Sequence, residues 1–248
     1  MRSRNLAVAA CLMGSVVAQN KLRIMPLGDS ITEITCWRAK LWDQLHAANV
    51  TDQVQFVGSM TNNHENCKAE DQNWDKHHEG HSGFLAINIA DNLLEDWLNV
   101  SKPDVVMFML GTNDVAQGRQ LDAILAAYTK MVKLMRESKS NMKIIVNTVI
   151  PLPMNNVPIQ NINQAIPGWA SEQNQTVSPI YVNDVYPYPN SDLRDGIHPN
   201  DAGDVIIANK LSPLLTWVIR SALDGNGTAN ATITSHSRKL RKGGYRGS

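Results

Sequence analysis

Four short polar segments of this 248-residue chain contain residue types that carry out nucleophilic and acid–base chemistry. They are Gly28–Ser30, His78–Gly83, Gly111–Asp114 and Asp195–His198. A serine hydroxyl becomes a useful nucleophile when an imidazole takes its proton. The imidazole in turn needs a carboxylate to fix its tautomer and stabilise its cation. The segments together therefore contain every residue type needed for ester hydrolysis.

Asp195 and His198 are three residues apart, which is close enough for a local pair. In a turn or a single helical turn, this spacing lets the carboxylate reach Nδ1 of the ring and leaves Nε2 for Ser30. The alternative is a purely structural ion pair in a loop, since such pairs also use these residue types. Ser30 has an alternative too, because Ser and Asp after a strand are common turn and helix-capping residues.

Ester hydrolysis also requires hydrogen-bond donors for the oxyanion that forms at the attacked carbonyl. The backbone N–H of Ser30, a glycine N–H and the amide of Asn113 would supply three donors. The glycine would come from the second segment, where Gly83 could instead serve only as a turn. Asn113 could instead cap the helix that follows it.

A zinc site is the competing interpretation of the histidine-rich segment that contains His77, His78, Glu79 and His81. This spacing differs from His-Glu-x-x-His, and a catalytic zinc needs three well-placed ligands. We therefore expect no metal at this segment.

Apolar runs alternate with amphipathic stretches along the chain, which predicts a parallel sheet covered by helices on both faces. We predict five strands, at 22–27, 54–57, 104–110, 142–149 and 180–182. A helix face is predicted from Ile87, Ala90, Leu94 and Trp97, and a last helix over 205–218. The polar segment 60–80 is predicted to be a long surface loop, and unstructured loops of this length are usually functional. The four segments then meet at the carboxyl edge of the sheet, where such folds place their ligands.

Taken jointly, the segments resemble the SGNH (GDSL-like) hydrolase superfamily, whose four blocks are named for Ser, Gly, Asn and His. These residues occur here in the same chain order, as Ser30, Gly83, Asn113 and His198. The resemblance is closer still to the acetylxylan esterases of carbohydrate esterase family 3. The matching motifs lie at 24–32, 56–59, 78–84, 103–106 and 195–199, and the resemblance covers about 22–220.

The resemblance implies a flavodoxin-like three-layer α/β/α sandwich with a Ser30–His198–Asp195 triad and no cofactor. It implies an oxyanion hole of Ser30, Gly83 and Asn113, and it favours Gly83 over Gly80. The expected function is the removal of acetyl groups from xylan or a related hemicellulose, with Trp74 in the 60–80 loop holding a sugar ring. The alternatives are another SGNH esterase acting on lipids or pectin acetates, and a catalytically silent carbohydrate-binding protein.

The ends of the chain differ in composition from its body. Residues 1–18 begin with two arginines and continue with an apolar run too short to span a bilayer, which is typical of a secretory signal. We predict a catalytic domain over 19–222 and a disordered basic tail over 223–248. The tail would contact an acidic polymer or membrane surface, or simply be solvated.

The body of the chain, 19–220, has six more acidic than basic residues, so we expect no nucleic-acid partner. No later segment is predicted to reach transmembrane length, and we predict a secreted monomer without stable membrane insertion.

Secretion would explain the cysteines and the glycosylation motifs. Cys36 and Cys67 remain once the signal is removed, and in an oxidising compartment such a pair is usually a disulfide; two free buried thiols are the alternative. Five Asn-x-Ser/Thr sequons predict glycosylation. They are at Asn49, Asn99, Asn174, Asn226 and Asn230.

Overall fold

A computed structural model describes residues 21–224 of the chain. Within these residues a parallel sheet contains six strands. They are β1 (Leu22–Gly28), β2 (Val54–Phe56), β3 (Glu79–Gly80), β4 (Val105–Met109), β5 (Lys143–Asn147) and β6 (Ile180–Asn183). The strand order is β2-β1-β4-β5-β6, and the two-residue β3 pairs with the end of β1. The five longer strands have the flavodoxin-like order, which confirms the predicted fold.

Helices cover both faces of the sheet. In chain order they are α1 (Ser30–Glu33), α2 (Trp37–Ala47), α3 (Ala86–Asn92), α4 (Leu94–Ser101), α5 (Thr112–Ala116), α6 (Leu121–Ser138), α7 (Asn156–Gln173) and α8 (Asp201–Leu223). Helices α3, α4, α6 and α7 pack on one face, and α2 and α8 pack together on the other. The fold is therefore a three-layer sandwich with an apolar core on each side of the sheet.

Strand β4 shows why the sheet is buried on both faces. All five of its residues are apolar and buried. Val106 and Phe108 point into one core, whereas Val105, Met107 and Met109 point into the other. Burying a large apolar side chain contributes about 1.5–3 kcal/mol to stability. A continuously apolar strand in the centre of a parallel sheet follows from this two-sided burial.

Two helical predictions need correction. The face predicted from Ile87 to Trp97 belongs to two helices, because the helical backbone is interrupted at Leu93, between α3 and α4. The last helix begins at Asp201, earlier than predicted, because the Asn200 side chain accepts hydrogen bonds from the N–H groups of Ala202 and Gly203. Such a cap satisfies N–H groups that have no partner inside the helix.

Helix α8 is, among the described residues, the one helix long and apolar enough by length and composition to cross a membrane. The expectation that no later segment reaches this length was therefore wrong. In the fold, 56% of that apolar stretch is buried, and α8 packs against α2 through Leu211 and Leu215. Its place in the core accounts for its hydropathy.

The 60–80 segment is irregular, as predicted, but much of it is not exposed. The Cys36–Cys67 disulfide is present, as predicted, and joins the segment to the start of α2. The buried Arg38 guanidinium donates to the carbonyl oxygen of Lys76. Trp74 is only 6% exposed and lies under Arg38. It cannot hold a sugar ring there, so that prediction was wrong.

The predicted signal 1–18 and residues 225–248 of the predicted tail lie outside the described residues, as do the sequons at Asn226 and Asn230. The sequons at Asn49, Asn99 and Asn174 are on the surface, and their glycosylation stays a prediction.

Candidate active site

The four polar segments come together at the carboxyl ends of the strands. Ser30 is the first residue of α1, directly after β1. The Asp29 carboxylate caps this short helix by accepting the N–H of Ile31 at 2.9 Å. Asp29 is buried, and the loss of solvent raises its pKa to about 7. The serine is thus held in position by the turn in which it sits.

Ser30, His198 and Asp195 form a continuous line of hydrogen bonds. The Oγ of Ser30 lies 2.9 Å from Nε2 of His198, and Nδ1 of His198 lies 2.7 Å from Oδ2 of Asp195. An ionised carboxylate can only accept hydrogen bonds, so Nδ1 carries the proton toward Asp195. Nε2 is then free to accept the hydroxyl proton of Ser30. The geometry is that of a nucleophile, its base and the group that orients the base.

Asp195 is fixed mainly by its own turn. Its Oδ1 accepts the N–H groups of Ile197 and His198, at 2.9 and 2.8 Å. Partial burial raises the pKa of Asp195, but these hydrogen bonds and the His198 ring outweigh burial and lower the pKa to about 2. The side chain is still 47% exposed. It is therefore ionised at neutral pH without being buried.

The side chain of Asn113 does not cap its own helix, which was the alternative role for this residue. Its Nδ2 donates to the carbonyl oxygen of Phe84 at 3.1 Å, and lies 3.4 Å from Oδ2 of Asp29. The N-cap of α5 is Gly111 instead. The amide thus connects the segment before α3 with the turn that carries Ser30.

Asp114, the next residue, also holds the segment that leads into α3. Its buried carboxylate accepts the N–H groups of Ala86 and Ile87, the first residues of α3, at 2.8 and 3.4 Å. Burial raises the pKa of Asp114. Asp114 belongs to the third polar segment, but the sequence indicated no role for it.

The two glycines of the second segment serve different purposes. A Cβ on Gly80 would lie 2.6 Å from the backbone nitrogen of Glu33, so only glycine fits there. Its N–H is already bonded to Nδ1 of His78. Gly83 has a positive φ of 80° and open space around it. Within residues 21–224, the N–H groups of Gly83 and Ser30 have no hydrogen-bond acceptor. Gly83 is therefore the glycine whose N–H is available.

Glu33, which was not among the predicted site residues, holds the segment that contains Gly83. Its Oε2 accepts the N–H of Ser82 at 2.6 Å, and its Oε1 accepts from Asn62 at 2.9 Å. Burial raises the pKa of Glu33, but the hydrogen bonds from Ser82, Asn62 and His64 outweigh it and lower the pKa to about 2. Its position three residues after Ser30 placed it near the site, but nothing in the sequence paired it with Ser82.

The histidines that suggested zinc bind different partners. His77 bonds to Asp75, His78 to Gly80 and His81 to the buried Glu79. Among residues 21–224, one group of side chains could hold a metal by proximity, but its two cysteine sulfurs are joined in the disulfide. The histidine segment thus forms structural hydrogen bonds around the site.

Comparisons with known proteins agree with this geometry. Residues 27–206 match the GDSL-like Lipase/Acylhydrolase family. A carbohydrate esterase family 3 structure from Talaromyces cellulolyticus is 43% identical, with a TM-score of 0.78 over 81% of this chain and 99% of that one. An acetyl esterase mutant with an acetate ion is 42% identical, with a TM-score of 0.79 and the same coverage.

A multidomain esterase from Ruminococcus flavefaciens is 29% identical over 213 residues, or 75% of this chain. This chain spans 27% of that relative's length. The likeness thus concerns one part of a much longer protein. The family match runs from Leu27 past His198, so it covers most of the described fold and all four polar segments. The chain belongs to the GDSL-like lipase/acylhydrolase family, and it is a carboxylic ester hydrolase similar to the acetyl esterases of carbohydrate esterase family 3.

Proposed function

We propose that this protein is a secreted serine esterase that removes acetyl groups from acetylated xylan or a related hemicellulose. The observation that carries the proposal is the hydrogen-bonded line from Ser30 Oγ through His198 to Asp195, with spacings of 2.9 and 2.7 Å. The similarity to acetyl esterases and a family 3 carbohydrate esterase supports the acetyl group and the carbohydrate. Secretion rests on the composition of residues 1–18.

In the proposed reaction, Ser30 Oγ attacks the acetyl carbonyl carbon while His198 Nε2 takes the hydroxyl proton. Asp195 keeps the ring in the tautomer with its proton on Nδ1 and stabilises the imidazolium that forms. His198 then gives the proton to the departing sugar oxygen, which leaves an acetyl-enzyme. Attack by water, with His198 again as base, releases acetate and restores Ser30.

The negative charge on the carbonyl oxygen would be stabilised by three donors. These are the N–H groups of Ser30 and Gly83 and the Nδ2 of Asn113. Hydrogen-bond donors that are already fixed in position stabilise the oxyanion much more than mobile water does. The loss of one such donor typically lowers kcat by about 10²–10³-fold. Every group in this scheme comes from the chain itself.

Acetate release by the wild type and by Ser30→Ala tests the proposal. The substrates are acetylated xylan and a small chromogenic acetate ester. We expect the wild type to cleave both and Ser30→Ala to lose at least about 10³-fold on both. Activity that survives Ser30→Ala would refute the mechanism. Cleavage of the small ester alone would refute the polymer and point to other acyl esters. A folded protein that cleaves neither would favour the silent binding protein.

A further inference from the structure

A groove of about 450 Å³ opens beside Gly83. Its volume is within the range of about 300–1,000 Å³ that small-molecule sites occupy. The seven lining residues are uncharged: Gly83, Phe84, Leu85, Asn88, Asn92, Leu93 and Gln117. The mechanism uses only Gly83 of these, so the groove has no assigned role.

The groove shares Gly83 with the proposed catalytic centre. Gly83 lines it and also offers its N–H to the oxyanion. The carbonyl of Phe84 is held by Asn113, whose amide also lies beside Asp29. A ligand that has its acetyl group at Ser30 would therefore extend naturally along this groove.

The walls of the groove are rigid. Helix α3 is anchored at its first residues by Asp114, and Ile89 and Ala90 are buried in the core. Asn88 and Asn92 are one turn apart and lie on the exposed face of the same helix. Within the described residues, the side-chain amides of Asn88 and Gln117 make no hydrogen bond. These two amides are free to bind a ligand.

The lining chemistry matches a neutral sugar. Each amide presents donors and an acceptor in one plane, as adjacent sugar hydroxyls require. Phe84 is 36% exposed and offers an aromatic surface to the C–H groups of a ring. We propose that the groove is a carbohydrate subsite, which binds a neutral sugar residue next to the acetylated one. This inference rests on the proposed function.

Two other ligands fit the lining less well. A lipid acyl chain would cover three amides without giving them hydrogen-bond partners, which costs free energy for each buried group. A galacturonate residue, as in pectin, would bring a carboxylate to a lining without a cation. The groove therefore favours xylan-like substrates over lipids and pectin.

The experiment compares Asn88→Ala/Gln117→Ala with the wild type on two substrates, an acetylated xylo-oligosaccharide and a small chromogenic acetate ester. We expect the double variant to lose about tenfold in kcat/KM on the oligosaccharide, mainly through KM. We expect it to keep the wild-type value on the small ester within about twofold. The matched control, Gln53→Ala/Gln160→Ala, removes two exposed amides elsewhere and should change neither value.

The outcomes separate this inference from the proposed function. If the wild type cleaves both substrates and the double variant equals it on both, the subsite is refuted and the esterase stands. An equal loss on both substrates would also refute the subsite, because the amides would then support the catalytic centre. If the wild type fails on the oligosaccharide itself, the proposed function fails. Equal cleavage of an acetylated oligogalacturonide would refute the preference for neutral sugars.

Discussion

The two halves of the candidate active site are held in different ways. The Asp195–His198 pair is built from a single turn, and its carboxylate is 47% exposed. The Gly83 side is held by carboxylates from distant parts of the chain, with Glu33 on Ser82 and the buried Asp114 on α3. The difference follows from what each half must do. An imidazole needs one partner, whereas backbone donors need a whole loop held in place before charge develops.

This comparison predicts that a substitution in the Asp195–His198 half lowers kcat strongly but changes stability little. Asp195→Asn should lower kcat by about 10⁴-fold, because the amide favours the wrong histidine tautomer. The melting temperature should stay within about 2 °C, since substitutions of exposed groups usually change stability little. Steady-state kinetics and thermal unfolding measure the two effects.

Asp192→Asn is the matched control for Asp195→Asn. It makes the same charge change in the same segment, three residues away, and within residues 21–224 its carboxylate accepts a hydrogen bond from the Ser191 hydroxyl alone. It should leave kcat unchanged. If Asp195→Asn keeps kcat within tenfold of the wild type, Asp195 does not orient His198 in the reaction.

In the Gly83 half, activity and stability should fall together. Glu33→Ala removes the acceptor of the Ser82 N–H and should lower kcat by about tenfold, less than the loss of a whole oxyanion donor. KM should change less than kcat, because the donors act mainly in the transition state. The melting temperature should also fall by a few degrees.

Glu33→Gln keeps one oxygen in place and should restore part of the lost kcat. Glu137→Ala, which removes an exposed glutamate on α6, is the control and should match the wild type. A Glu33→Ala variant that loses stability but keeps full kcat would show a structural role only. A change in KM alone would place Glu33 in substrate binding.

The same contrast explains what could be predicted from the sequence. Asp195 and His198 are neighbours in the chain, so their spacing alone indicated their pairing. Strand β4 was predictable because burial on both faces leaves an uninterrupted apolar run. Glu33 and Ser82 are 49 residues apart, and Asp114 and Ala86 are 28 apart. A single sequence contains no signal for such contacts, because they exist only once the sheet has assembled.

Trp74 is a case in which the sequence predicted a wrong exposure, because long-range contacts bury its side chain. The polar composition of 60–80 predicted an exposed loop and an accessible ring. The buried guanidinium of Arg38 lies over that ring and also binds the carbonyl of Lys76. Contacts from distant residues, among them Arg38 and the Cys36–Cys67 disulfide, therefore pack a segment that its composition predicted to be exposed.

The smallest predicted effect is on stability in acid. The pKa values of Glu33 and Asp195 are both lowered to about 2 in the fold, from ordinary values of 4.5 and 3.8. A carboxyl group whose pKa is lower in the folded than in the unfolded state stabilises the fold. This contribution is complete above the unfolded-state pKa and is lost as the pH falls toward 2. The stabilising contribution of these two carboxylates should therefore be lost as the pH falls below about 4.5.

Glu33→Gln should flatten this acid dependence more than Asp195→Asn does, because solvent screens the more exposed Asp195. After allowance for screening, we expect the melting-temperature loss between pH 5 and pH 2.5 to shrink by about 2–4 °C in Glu33→Gln, which is about 1 kcal/mol for a chain of this size. Thermal unfolding of the three proteins across this range measures it. Equal slopes for the two variants would contradict the distinction between a long-range and a local carboxylate, since both groups would then be coupled to folding to the same extent.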